Sequence, residues 1–179
     1  MDRVRALVLY ESMFGNTRRV AGAIAEGLNG YACVRSIRDV AACDFTAVDL
    51  VVIGGPTHEH GLSQFATRMT TERRAETNGV TLDAGASVGV GLRELFRRLR
   101  TLDGVAAAAF DTRHQAARDA TGSAAEAIAR RLRRGGAVLV ADPTSFFVDD
   151  TDHLHRGELT RAAEFGASLA MGLDLLGLD

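Results

Sequence analysis

The feature that most constrains this chain is a repeated change of hydrophobic period, from short unbroken apolar runs to helical stripes and back. Residues 4–10 read as a buried strand, and Val20, Ile24 and Leu28 then recur at i, i+4 and i+8, predicting a helix over 17–28. Residues 31–37 read as a second strand. Asp49 to Ile53 reads as a third, closed by Gly54-Gly55-Pro56. A helix is expected from Leu62 to Glu76 with Leu62, Phe65 and Met69 inward; residues 79–90 are Gly-rich and carry no period. Leu92, Leu95, Phe96, Leu99 and Leu102 mark an amphipathic helix, and Val105 to Phe110 a fourth strand. Ser123-Ala124-Ala125-Glu126 fits a capping box, opening a helix with Ala124, Ile128 and Leu132 inward that Gly135-Gly136 ends. The last strand starts at Ala137, is interrupted by Pro143 and resumes at Phe146-Phe147-Val148. A final helix over 158–176 shows Leu159, Ala163, Gly166, Leu169, Leu173 and Leu176 on one side. Strands that are apolar on both faces and alternate with helices belong to a parallel sheet covered on both sides. Five strands are expected in one α/β domain spanning residues 1–179, a usual domain length.

Composition narrows the function. The hydrophobic fraction of 46% supports a sizeable core, yet no apolar run reaches the 18 residues of a membrane helix. The apolar stretch behind Met1–Arg5 is too short for a signal peptide, so cytoplasmic residence is expected. Cys33 and Cys43 form no CxxC pair and read as plain thiols. A net charge of −2 gives no overall attraction to nucleic acid or to an anionic membrane.

The chemistry concentrates where the first strand turns into the first helix, at Ser12-Met13-Phe14-Gly15-Asn16-Thr17. Helix N-terminal N–H groups carry partial positive charge and attract phosphate. Gly15 permits close backbone approach, while Ser12, Asn16 and Thr17 supply donors; Arg18 and Arg19 could add charge at longer range. The loop is neither G-x-G-x-x-G nor a Walker A loop, whose lysine is absent from the entire chain. Taken alone, it could also be a tight turn capped by Asn16 or Thr17.

These residues resemble the flavodoxin family's T/S-x-T-G-N-T loop, which holds the 5′-phosphate of FMN. Phe14 stands where the family usually has a hydroxyl, which removes one phosphate contact. Ile53-Gly54-Gly55-Pro56-Thr57 is similar to the G-x-P-T that opens the family's second flavin loop. Ala109-Phe110-Asp111-Thr112 stands where its third begins. The resemblance implies a flavodoxin-like, doubly wound, three-layer α/β/α fold with strand order 2-1-3-4-5 and FMN at the switch point between strands one and three. It also implies a cofactor site of Ser12, Met13, Phe14, Gly15, Asn16 and Thr17, then Pro56, Thr57, His58, Glu59, His60 and Gly61, then Asp111, Thr112, Arg113 and His114.

Flavin rings in the family are held by Trp and Tyr. Here there is no Trp, the tyrosines are Tyr10 and Tyr31, and histidine and arginine occupy the stacking places with less apolar area. His58-Glu59-His60 and His153-Leu154-His155 are H-x-H pairs, but extended backbone sends their side chains to opposite sides, so no metal is expected. Arg93, Arg97, Arg98 and Arg100, and again Arg130, Arg131, Arg133 and Arg134, lie opposite apolar stripes as a solvated face or a docking surface for an acidic partner or nucleic acid, though no aromatic residues for base stacking accompany them. Asp111 and Arg113 close a strand end, as a local ion pair or as cofactor contacts.

Three functions fit. The first is an FMN-binding electron-transfer protein, serving a reductase or acceptor protein and needing no catalytic acid, base or nucleophile. The second is a flavin-dependent oxidoreductase acting directly on a quinone or protoporphyrinogen-type substrate, with His58, His60 or His114 as proton donor. The third is a non-redox module that has lost FMN and holds another phosphate ligand.

Overall fold

The computed structural model describes residues 6–29, 32–42, 45, 48–99, 102–116 and 122–175. The expectations placed on Tyr31, Cys43, Arg100 and Leu176 fall outside these residues. In chain order the elements are β1 (Ala6–Tyr10), α1 (Asn16–Gly27), β2 (Ala32–Ser36), a 3-10 turn (Ile37–Ala42), β3 (Leu50–Pro56), α2 (Phe65–Asn78), α3 (Leu92–Arg98), β4 (Ala106–His114), α4 (Ala124–Arg134), β5 (Val138–Leu139), β6 (Thr144–Val148) and α5 (Glu158–Leu175).

Every pairing in the sheet is parallel, in the order β2-β1-β3-β4-β5, with β6 also on β4. The expected fifth strand is thus two strands on one edge. β5 meets β4 at Ala106 and Ala107, β6 meets it from Phe110 to His114, and the register slips by two residues between them. Pro143 sits in that break, where a missing N–H costs no ladder bond. β4 runs to His114, four residues beyond the expected end at Phe110, because β6 continues to pair with it.

Alternation along the strands builds two cores. Leu7, Leu9, Val51, Ile53, Ala107 and Ala109 face α3 and α4. Val8, Val52, Ala106, Ala108 and Phe110 face α1 and α5. On the second side α1 and α5 approach closely enough that a Cβ on Gly27 would stand 1.9 Å from the Ala163 carbonyl oxygen. One on Gly166 would stand 2.1 Å from that of Ile24. The two glycines therefore let the helix backbones touch, and any side chain there would force them apart.

α2 departs from the expectation. It starts at Phe65, which is 58% exposed rather than inward, and among its described side chains only Arg68 and Ala75 are buried. It has no apolar stripe, so polar pins hold it. Arg68 Nη1 donates to Ser63 Oγ at 3.1 Å and Nη2 to the Gly89 carbonyl at 3.2 Å. Ser63 Oγ donates in turn to Glu11 Oε1, and Glu11 Oε2 accepts from the Leu92 N–H at the start of α3. Ser87 Oγ donates to Glu72 at 2.5 Å. Glu11 and Arg68 are each about 2% exposed, and each makes two side-chain hydrogen bonds that help make burying both charges tolerable. The excursion from Leu62 to Gly91 is thereby tied back to the end of β1. Among the described residues no helix is long and apolar enough to cross a membrane.

Candidate functional site

The ends of β1, β3 and β4 leave a cleft of about 320 Å³ on the carboxyl side of the sheet, where open α/β sheets take ligands. One wall is the turn into α1. Gly15 holds φ at +83°, a left-handed conformation that glycine adopts without strain, and its N–H donates to Ser12 Oγ at 3.1 Å. α1 has no capping side chain and no acidic residue in its first turn. The first N–H groups of a helix have no intrahelical acceptor, so this N-terminus presents unneutralised positive partial charge to the cleft. Asn16 Nδ2 donates to the Asp152 carbonyl at 2.5 Å, leaving its second N–H free for a ligand. Thr17 Oγ1 and Thr112 Oγ1 lie 2.8 Å apart; of two paired hydroxyls only one proton is consumed, so the other can be donated.

Arg18 does not reach the cleft. It pairs with Asp83 through Nη2 at 3.1 Å and Nε at 3.3 Å, and the Asp83 N–H donates to the Met13 carbonyl at 2.8 Å. The Gly-rich segment after α2 thus buttresses the outer side of the turn. Arg19 is exposed.

The second loop is a tight hairpin. His58 and Gly61 exchange two backbone hydrogen bonds of 2.8 Å, and Glu59 and His60 between them take φ of +38° and +74°. Two positive φ values in a two-residue hairpin are what its twist requires, here met without glycine. Pro56, Thr57, His58 and Glu59 line the cleft; His60 and Gly61 do not. Burial, reinforced by the Arg68 charge, lowers the His58 pKa to about 4, so the ring is neutral at pH 7.

The third loop divides. Thr112, Arg113 and His114 line the cleft, whereas Asp111 is fully buried beside it. Asp111 Oδ2 accepts from Thr57 Oγ1 at 3.0 Å, Ser123 Oγ at 2.7 Å and the Ala125 N–H at 2.9 Å, and among the described residues Oδ1 has no partner. It therefore anchors the start of α4 to the second loop. Arg113 does not pair with Asp111 in these contacts. Its Nε donates to Ser145 Oγ at 3.1 Å, and its guanidinium lies 5.1 Å from the Phe147 ring centre. His114 Nε2 stands 3.7 Å from Asp152 Oδ1.

The structure thus brings Met13, Phe14, Asn16 and Thr17 together with most of the other two loops, and sets Ser12, Gly15 and Asp111 behind the surface as supports. Sequence reasoning missed the opposite wall, where α2 presents Thr67, Thr70, Thr71 and Arg74. The signal was a helical stretch rich in threonine with no apolar stripe. It also missed Asp150 and Asp152 on the rim, from the loop after β6.

A doubly wound parallel sheet with a cleft at its switch point, entered by an uncapped helix N-terminus, defines a three-layer α/β protein of the doubly wound class. Residues 7–85 match the family described as the flavodoxin domain, and the chain has a flavodoxin-like fold. Among solved structures it is similar to a flavodoxin from the domain Archaea, with a TM-score of 0.62 and 20% identity over 94% of this chain and 98% of that one. Flavodoxin 2 from Bacillus cereus aligns with a TM-score of 0.58 and 18% identity over 96% and 99%. A rubredoxin oxygen:oxidoreductase from Desulfovibrio gigas aligns at 0.54 and 15%, over 95% of this chain but 36% of that one. No curated protein matches the chain.

Proposed function

We propose that this protein binds FMN in the cleft and transfers electrons with it. The observation that carries the reading is the α1 N-terminus, uncapped by its own residues and flanked by Gly15 in a left-handed turn. The donor set fits a phosphate: the free N–H groups of the first turn, the Asn16 amide, and the Thr17 and Thr112 hydroxyls would hold it. Pro56, His58, Phe14 and His114 line the remaining surface and would frame the ring. Bound there, FMN supplies one- or two-electron transfer, and the protein sets its potential. His58 is neutral and half-buried at pH 7, and so able to donate or accept a hydrogen bond without adding charge.

A redox partner protein, a reductase or an acceptor, is part of this reading. The test is titration of the purified chain with FMN, followed by flavin fluorescence and visible absorbance. Saturable one-to-one quenching supports the proposal. No binding at about 100 μM FMN overturns it and leaves the non-redox phosphate module.

One feature favours direct action on a substrate. α2 walls the cleft with Thr67, Thr70, Thr71 and Arg74, giving it polar contacts beyond those of the three flavin loops. In an oxidoreductase these residues would orient a quinone or protoporphyrinogen-type substrate. NAD(P)H-dependent quinone reduction whose kcat/KM falls in R74Q, with FMN affinity unchanged, would distinguish that enzyme from a carrier.

A further inference from the structure

A second cleft, also about 320 Å³, lies between α3 and α4 and has no part in the function proposed above. Its floor is apolar, formed by Phe96, Leu99 and Leu102, and its rim carries Arg93, Arg97, Arg131 and Arg134. Two of these guanidiniums are already held in place. Arg93 Nε donates to the Leu62 and Ser63 carbonyls, each at 3.1 Å. Arg131 Nη1 donates to the Ala127 carbonyl at 2.9 Å, and its guanidinium lies 6.0 Å from the Phe96 ring centre. Among the described residues, only Arg97 of the four has a carboxylate within reach, Glu94 at 4.0 Å, and Glu94 also faces Arg68 at 3.7 Å. Burial, together with the charges of Arg93, Arg130 and Arg134, lowers the pKa of Arg131.

Like charges gathered round an apolar pocket are unfavourable until an anion neutralises them, and this occurs in a chain whose net charge is −2. A guanidinium fork binds phosphate or carboxylate through two parallel hydrogen bonds, and the pinned Arg93 and Arg131 lose little freedom in doing so. The pocket is of a size that suits a small molecule. We propose that the α3–α4 cleft binds an organic polyanion, a small molecule with two or more phosphate or carboxylate groups on a flat or aliphatic body. The charged end sits on Arg93, Arg131 and Arg134, and the body rests on Phe96, Leu99 and Leu102.

The site is separate from the phosphate turn of α1. It includes Gly135 at the C-terminal end of α4, whereas the Ala124 N–H at the other end donates to Thr57 in the first cleft. An 11-residue helix spans roughly 16 Å.

Calorimetric titration of the full chain at low ionic strength, with ADP, pyrophosphate and adenosine as probes, tests this. ADP is expected to bind most tightly, pyrophosphate more weakly and adenosine not at all. R131Q and R134Q should each weaken ADP about 10-fold. Arg134 is exposed, so R134Q keeps the test valid if R131Q fails to fold. Three results would overturn the proposal: no binding of ADP or pyrophosphate, ADP affinity lost in N16A/T17V but kept in the arginine variants, or binding of a hexaglutamate peptide in place of ADP. The last would assign the cleft to an acidic protein partner.

Discussion

The hydroxyls of Thr17 and Thr112 meet at 2.8 Å between the first turn of α1 and the end of β4, two segments 95 residues apart in the chain. The bond fixes the helix N-terminus over the third loop and leaves one hydroxyl proton for a ligand. T17V should therefore weaken FMN binding by about 1–3 kcal/mol, roughly 5- to 150-fold, while shifting the unfolding midpoint little. T112V should weaken it less, because Thr17 keeps its own donor. Equal affinities in both variants and the parent chain would remove this pair from the site.

Gly15 tests the geometry of the turn. An alanine Cβ would stand 3.4 Å from Arg18 Nη2 and 3.5 Å from Asp83 Oδ1, close to ordinary contact, so space is not the main obstacle. The φ of +83° is, and G15A should cost about 1–2 kcal/mol of stability. G15N should cost less, since asparagine tolerates the left-handed region better. Urea unfolding of the three chains gives the order.

Glu11 and Arg68 form the polar core beneath α2, with Arg68 Nη1 4.0 Å from Glu11 Oε1. R68M leaves the carboxylate buried without its counter-charge, and a loss of about 3–5 kcal/mol is expected. The E11L/R68M double variant should lose less than the two single changes together, because neither charge is then stranded. Additive losses would show that the two groups are not coupled.

His58 imposes a pH dependence. Its folded-state pKa of about 4 lies below the ordinary 6.5, so between these values the unfolded chain binds the extra proton. Stability is unaffected above pH 6.5 and falls as the pH drops toward 4, by at most about 3 kcal/mol from this group. H58Q should flatten that part of the profile. An unchanged slope in H58Q would assign the acid sensitivity to other residues.

The fold was legible because each buried strand and each helical stripe follows a period that water enforces. Val8 and Leu9, or Ile128 and Leu132, sit in the core as the pattern requires. The phosphate turn was legible for a local reason: glycine and donors are needed within a few residues of one helix start. What escaped lies in long-range pairing. Thr57 reads as a flavin contact, yet its hydroxyl is used between Asp111 and the Ala124 N–H, partners 54 and 67 residues away. Phe65 reads as core because it is apolar and helical, but α2 is held by Arg68 and Glu72 and has no apolar face to bury. Nothing in the sequence near Arg68 reports that Glu11 and Gly89 receive it.

The measurement that bears most directly on the central claim compares FMN with riboflavin, which shares the ring and lacks the phosphate. If the α1 N-terminus with Asn16, Thr17 and Thr112 holds the phosphate, the chain binds FMN roughly 100-fold more tightly than riboflavin, the equivalent of about two charge-assisted hydrogen bonds. Equal affinities would mean that the turn into α1 holds no phosphate, and would contradict the account.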